Sequence, residues 1–283
     1  MALTAIREVQ DAKRTTFKKS RPSFSEKARA EHAFHQATQA NGGYTQALRS
    51  LGRQITHIVR AFAPEDATKP WSEIHKAQLD HALRRYAHAI EPWAQSVGQV
   101  MLTRADRRNR TAWRAYTEEM SLGLRQELLS ADVGAAIRSL LAQQVTLITS
   151  LPVSTSQRVQ EKALEAMVLS ERYPERTEEI TQALAEANPQ ATQNWLNNQA
   201  TVIARTETAR AQSVLVQARS ETIGADQYIW RTAGDSNVRE SHRKLNKSVQ
   251  RWDKPPLSDP PDHYSHPGQI WNCRCVALPI IPE

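Results

Sequence analysis

Tyr228-Ile229-Trp230-Arg231-Thr232-Ala233-Gly234-Asp235-Ser236-Asn237-Val238-Arg239-Glu240-Ser241-His242-Arg243-Lys244-Leu245 is the stretch on which the fold turns. Its first five residues alternate in polarity and are rich in aromatic and β-branched side chains, which predicts a strand. Ala233-Gly234-Asp235 reads as a turn. Asp235 or Ser236 is then placed to cap a short helix in which Val238, His242 and Leu245 share one face. Asp235 and Arg239 stand four apart, a spacing that suits an ion pair on that helix. Asn246 fits the left-handed exit position.

C-terminal to this stretch, residues 254–268 hold a proline-rich loop from Lys254-Pro255-Pro256 to His266-Pro267-Gly268. A loop of that length inside a compact domain points to function or to an interaction arm. Ile270 to Leu278 then reads as a strand. Trp271, Cys273, Cys275 and Ala277 share one face, and Ile270, Asn272, Arg274 and Val276 the other. Three of the chain's seven tryptophans, Trp230, Trp252 and Trp271, fall in residues 225–283, so this part is expected to carry its own aromatic core.

N-terminal to it, the chain reads as helices punctuated by Pro22, Pro64, Pro70, Pro92, Pro152, Pro174 and Pro189. Helical spacing relates Trp113, Tyr116, Met120, Leu124 and Leu128, and again Val133, Ile137, Leu140, Leu141, Val145 and Ile148. Ser154 or Ser156 is placed to cap a following helix carrying Val159, Ala163 and Met167. Pro174 suits the first position of the next, with Glu175, Glu178 and Glu179 near its positive end. Asn188-Pro189 ends that helix. A long helix runs from about Thr192 to Thr222 with Trp195, Val202, Ile203, Thr206, Ala209 and Val216 near one side, and Gly224 as C-cap. The expected fold class is mainly α with a small C-terminal α+β domain. Three parts follow: a helical region over 1–149, a helical part over 150–224, and a compact α+β unit over 225–283.

Composition agrees. The chain has 283 residues, 40% apolar and 24% charged, enough to bury a core. Nine glycines and 6% aromatic residues argue against a turn-rich β sandwich or barrel. No stretch approaches the roughly 18 apolar residues of a membrane span. The start lacks the apolar centre of a signal peptide, so classical export is not expected. The net charge of +7 is local: residues 1–60 hold eleven Lys/Arg and four Asp/Glu, an excess that equals that of the whole chain. Arg7, Lys13, Arg14, Lys18, Lys19 and Arg21 belong to this basic segment. It suits non-specific contact with a nucleic-acid backbone, an acidic protein surface, or simply water.

An ordered set of residues ties these parts together: Arg205-Thr206-Glu207 on the long helix, then Trp230, Thr232, Asp235, Arg239 and His242, and finally Asn272-Cys273-Arg274-Cys275. Over roughly residues 150–283 this set resembles the phage Mu F-like head morphogenesis family, the minor head proteins of tailed bacteriophages. The resemblance implies a structural, non-enzymatic protein of the virion, in the head interior near the portal and in the host cytoplasm during assembly. It implies partners among the portal, major capsid and scaffold proteins, with viral double-stranded DNA as a further contact during packaging or ejection, and no membrane.

The cysteines admit several readings. Cys273 and Cys275 supply two thiols, His242 a third ligand and His263, His266 or Asp235 a fourth, which would suit a structural zinc. Against this, C-x-C is not the usual zinc-knuckle spacing. Reduced thiols packed against tryptophan fit the pattern better. Cys273 or Cys275 with His242 and Asp235 also matches a thiol hydrolase or a nuclease-like metal site in residue types, although no local signature accompanies them.

Overall fold

The computed structural model describes residues 24–66, 69–118 and 120–282. The basic residues Arg7, Lys13, Arg14, Lys18, Lys19 and Arg21 lie outside the described residues. The helices are α1 (Phe24–Ala37), α2 (Gly42–Phe62), α3 (Glu73–Ala89), α4 (Glu91–Tyr116), α5 (Leu122–Ser130), α6 (Gly134–Arg172), α7 (Thr177–Glu186), α8 (Pro189–Thr222) and α9 (Glu240–Leu245). The strands are β1 (Gln227–Arg231), β2 (Val249–Arg251), β3 (Leu257–Asp259), β4 (His263–Tyr264) and β5 (Val276–Ile280). The chain is thus mainly α, with its strands gathered near the C-terminus. Among the described residues no helix is long and apolar enough to cross a membrane.

The chain divides into two compact units that interleave in sequence. Among the described residues, one comprises 24–38, 106–133 and 212–282, the other 39–105 and 134–211. The linear division at 149/150 and 224/225 follows motif and texture instead, and its first cut falls inside α6.

In the all-helical unit, α2 begins where the Asn41 side chain accepts the Gly43 and Tyr44 N–H groups at 3.1 and 3.4 Å. Tyr44, Leu48, Leu51, Ile55 and Val59 then recur at helical spacing and are buried. The Ser72 hydroxyl caps α3 by accepting the His75 N–H at 3.2 Å. Contrary to the expected break, α6 runs through Pro152. Proline removes one helical donor, yet Ile148, Leu151 and Val159 on either side are buried and hold the helix in register. Ser154 and Ser156 therefore do not cap a new helix. The Ser154 hydroxyl donates back to the Leu151 carbonyl at 3.1 Å, and that of Ser156 to Asp80 on α3 at 2.9 Å. Pro174 is not the first residue of α7 either. It lies in a turn closed by the Arg176 N–H on the Tyr173 carbonyl at 2.9 Å. Asn188 caps α8, accepting the Ala191 N–H at 2.8 Å, so Pro189 opens the long helix instead of merely ending its predecessor.

In the mixed unit the helical run expected through Met120 breaks after Tyr116. The Arg125 guanidinium accounts for the break: it donates to the carbonyl of Thr117 at 2.8 Å and also to that of Glu118. Gly224, at φ +69°, terminates α8, with the Ala225 N–H returning to the Ser220 carbonyl at 2.9 Å. β1 is the centre of an antiparallel sheet ordered β2-β1-β5, pairing Ile229 with Val249 on one side and Leu278 on the other. β3 and β4 form a separate hairpin. Phe34, Trp113, Leu128, Tyr228, Trp230 and Trp252 fill the core with Cys273 and Cys275. Phe34 meets the rings of Trp113 and Tyr116 edge-on at 5.7 and 5.8 Å. The end of α8 is pinned to α4 by Arg219, whose side chain is fully buried. Its Nη1 donates to Asn109 at 2.6 Å and its Nη2 to Asp106 at 2.5 Å.

Candidate functional site

The site lies in the mixed unit, where α9 and the loop before β5 meet the end of β1. Trp230 is central to β1, and its N–H donates to the Ser248 carbonyl at 2.9 Å while its carbonyl accepts the Lys247 N–H at 2.8 Å. Asn246, expected in a left-handed conformation, instead has φ −59°; its side chain accepts the Thr232 N–H at 3.2 Å. Lys247 takes the positive φ, at +69°. These bonds fix α9 beside β1 and place His242, itself 2% exposed, against Trp230 with ring centroids 5.3 Å apart.

Asp235 does not cap α9. Its Oδ1 accepts the Asn237 N–H at 3.0 Å in a local turn, and the helix begins only at Glu240. Val238 therefore precedes the helix. Asp235 does not pair with Arg239 either. It meets Arg274, whose Nη2 donates to Oδ1 at 2.6 Å while Nη1 serves Oδ2. That guanidinium holds the Asp235 carboxyl below the usual range. Arg239 instead donates to the Trp271 carbonyl at 2.9 Å.

The strand expected from Ile270 starts only at Val276. Asn272, at φ +57°, turns the chain, and the Cys273 N–H returns to the Ile270 carbonyl at 3.1 Å. Trp271 is exposed while Cys273 and Cys275 are buried, so they do not share a strand face. The two sulfurs converge nonetheless. Cys273 Sγ lies 3.6 Å and Cys275 Sγ 3.4 Å from the same atom, Nδ1 of His242. The Gly268 N–H donates to Cys273 Sγ at 3.3 Å. Hydrogen bonding from Cys275 pushes the Cys273 thiol well below its ordinary value, with His242 adding to the effect against the cost of burial. Cys275 is pushed up by that same contact and by burial. A cavity of about 10 Å³ adjoins His242, Asn272 and both cysteines, which is room for about one water molecule.

His266 is not part of this cluster. Its Nδ1 is 2.9 Å from the Tyr228 hydroxyl, its ring stands edge-on to Trp252 at 5.1 Å, and burial lowers its pKa. Among the described residues only His242, Cys273 and Cys275 are grouped to hold a metal ion, with their ligand atoms all within 4.8 Å of one another.

The helix part of the ordered set belongs to the other unit. Arg205 is exposed there, whereas Thr206 and Glu207 are buried. Glu207 accepts a bond from the Gln144 amide, whose oxygen accepts the Tyr44 hydroxyl at 2.6 Å. Burial raises the Glu207 pKa, partly offset by Gln144 and by Arg210 3.9 Å away. Gln144, Tyr44, Asn109 and Arg219 carry no signal of these roles in the sequence.

Residues 157–278 match the family model described as Phage Mu protein F like protein. An "Uncharacterized protein" of Haemophilus influenzae (strain ATCC 51907 / DSM 11121 / KW20 / Rd) is 25% identical over 256 residues, covering 84% of this chain. The chain spans about half the length of that relative, 52%. No solved structure matches. The family match runs from inside α6 into β5 and takes in Arg205, Glu207, Trp230, His242, Cys273 and Cys275. Over residues 157–278 this chain is thus similar to phage Mu F-like proteins.

Proposed function

We propose that the chain is a minor head protein of a tailed bacteriophage, with a structural role in assembling the capsid. The observation that carries this reading is the span of the family match, residues 157–278, which covers the whole ordered set from Arg205 to Cys275. In the proposal the protein sits inside the head near the portal, contacts portal and capsid or scaffold protein, and reaches the virion. The excess basic charge of residues 1–60 suits non-specific contact with packaged DNA, because Lys and Arg that neutralise phosphates release condensed counterions into solution.

The cluster at His242 supports a structural rather than a catalytic part. Its thiols and imidazole are buried, and the adjoining space of about 10 Å³ admits a water but not a substrate. The test is genetic: the gene is inactivated in a lysogen and complemented in trans. Malformed, empty or non-infectious heads rescued by the intact gene support the proposal. A normal yield of infectious particles from the null strain rejects it.

A further inference from the structure

We propose that His242, Cys273 and Cys275 bind one zinc ion, with a water as fourth ligand. The inference goes beyond the head role and does not depend on it.

The first support is geometric. Tetrahedral zinc with Zn–S bonds of about 2.3 Å and Zn–N bonds of about 2.0 Å holds sulfur and nitrogen about 3.5 Å apart. The two separations here are 3.4 and 3.6 Å, both measured to the same nitrogen. Hydrogen bonding alone does not account for that convergence. Nδ1 of an imidazole has one lone pair or one proton, so it serves one thiol well and not two. A cation between the three atoms satisfies them all.

The second support is the choice of donors. Two thiolates and an imidazole are soft ligands, which select zinc over calcium or magnesium. The nearby carboxylate, Asp235, is taken up by Arg274 and is not a competing donor. Two thiolates neutralise a dication, so the loaded site carries no net charge into a core of Trp230 and other apolar groups.

The third support is what surrounds the donors. All three are buried, at 2%, 2% and 3% exposure. The Gly268 N–H already donates to Cys273 Sγ, an outer-sphere bond that orients a thiolate ligand. The cavity of about 10 Å³ beside His242 and the cysteines has the size of one water, which completes four-coordination.

The test uses the full chain, expressed without a metal-affinity tag and purified without chelators. Elemental mass spectrometry is expected to find one zinc per chain. The chelator-stripped protein, titrated with cobalt(II) alone, is expected to take one equivalent and to show tetrahedral ligand-field bands with thiolate-to-cobalt charge transfer. Cys273→Ser and Cys275→Ser are each expected to reduce that charge-transfer intensity and to weaken zinc retention by at least tenfold. If either variant fails to fold, the wild-type cobalt spectrum decides. Failure of the stripped wild-type chain to take up zinc or cobalt, cobalt bands without a thiolate component, or retention unchanged in the double variant overturns the proposal. So does a Cys273–Cys275 disulfide in protein isolated from the cytosol under anaerobic conditions.

Discussion

Asp235 and Arg274 stand 39 residues apart in sequence and meet as a two-pronged ion pair, with Nη2 donating to Oδ1 at 2.6 Å and Nη1 to Oδ2. The pair ties the turn after β1 to the loop that carries both cysteines. It is half-exposed, so its role is to hold two loops in one geometry more than to stabilise the fold.

Breaking that pair is therefore expected to loosen the loop. Arg274→Ala or Asp235→Asn should increase proteolysis and amide exchange around residues 270–275 while leaving the melting temperature little changed. Arg274 lowers the Asp235 pKa, so this restraint is present above the ordinary aspartate value and is lost as pH falls through the depressed one. Hydrogen exchange measured between neutral and acid pH checks both statements.

Arg219 presents the opposite case, a buried guanidinium. Arg219→Ala removes one of the two guanidinium groups on Asp106 and the donor to Asn109 Oδ1, leaving Arg110 on Asp106, and is expected to cost about 1.5–3 kcal/mol. Arg219→Lys should recover little, because one ammonium does not reproduce two donors aimed at two acceptors. Burial raises the Asp106 pKa, but bonds from Arg219 and Arg110 outweigh it and lower the net value. The stability from this site is thus held above the ordinary aspartate range and lost on acidification. Urea melts of the two variants test the ranking.

Glu207 should behave in the reverse sense with pH. Burial raises its folded pKa, so its contribution is present below the unfolded value of about 4.5 and is lost as pH rises through the higher folded one. Glu207→Gln keeps an acceptor for the Gln144 amide and removes the buried charge, so it is expected to be neutral or stabilising at pH 7. Glu207→Ala strands the Gln144 amide and should cost about 1–3 kcal/mol. Thermal melts across pH 4 to 8 separate the two.

Gly224 lies at φ +69°, and the space where a Cβ would stand is open, so conformation alone opposes substitution. Gly224→Ala is expected to cost about 1–2 kcal/mol, read as a lower denaturation midpoint with an unchanged slope.

How much the residues disclose depends on how local the cause is. β1 is legible because alternation is a property of five neighbours, and the end of α8 because glycine tolerates a left-handed turn. Pro152 misleads, since tertiary burial of Ile148 and Val159 overrides the missing donor. Asp235 misleads as well: its spacing to Arg239 mimics a helical pair, while the partner it takes is Arg274, which no periodicity relates to it. The grouping of Cys273 and Cys275 with His242 is legible as a set of residue types, but not the backbone that brings them together. The left-handed Asn272 and its turn do so, not a strand face. His266 is nearer the cysteines in sequence than His242, yet Tyr228 and Trp252 draw it elsewhere. The bond from Gln144 to Glu207 joins α6 to α8, a pairing that neither helix reveals alone.

The central claim, a structural place in the phage head, is tested most directly by quantitative mass spectrometry of gradient-purified procapsids and virions from an induced lysate. The account predicts this chain in those particles, in low and reproducible copy number relative to the major capsid protein. Particles of both kinds that are free of the chain, from a lysate in which it is abundantly expressed, would contradict it.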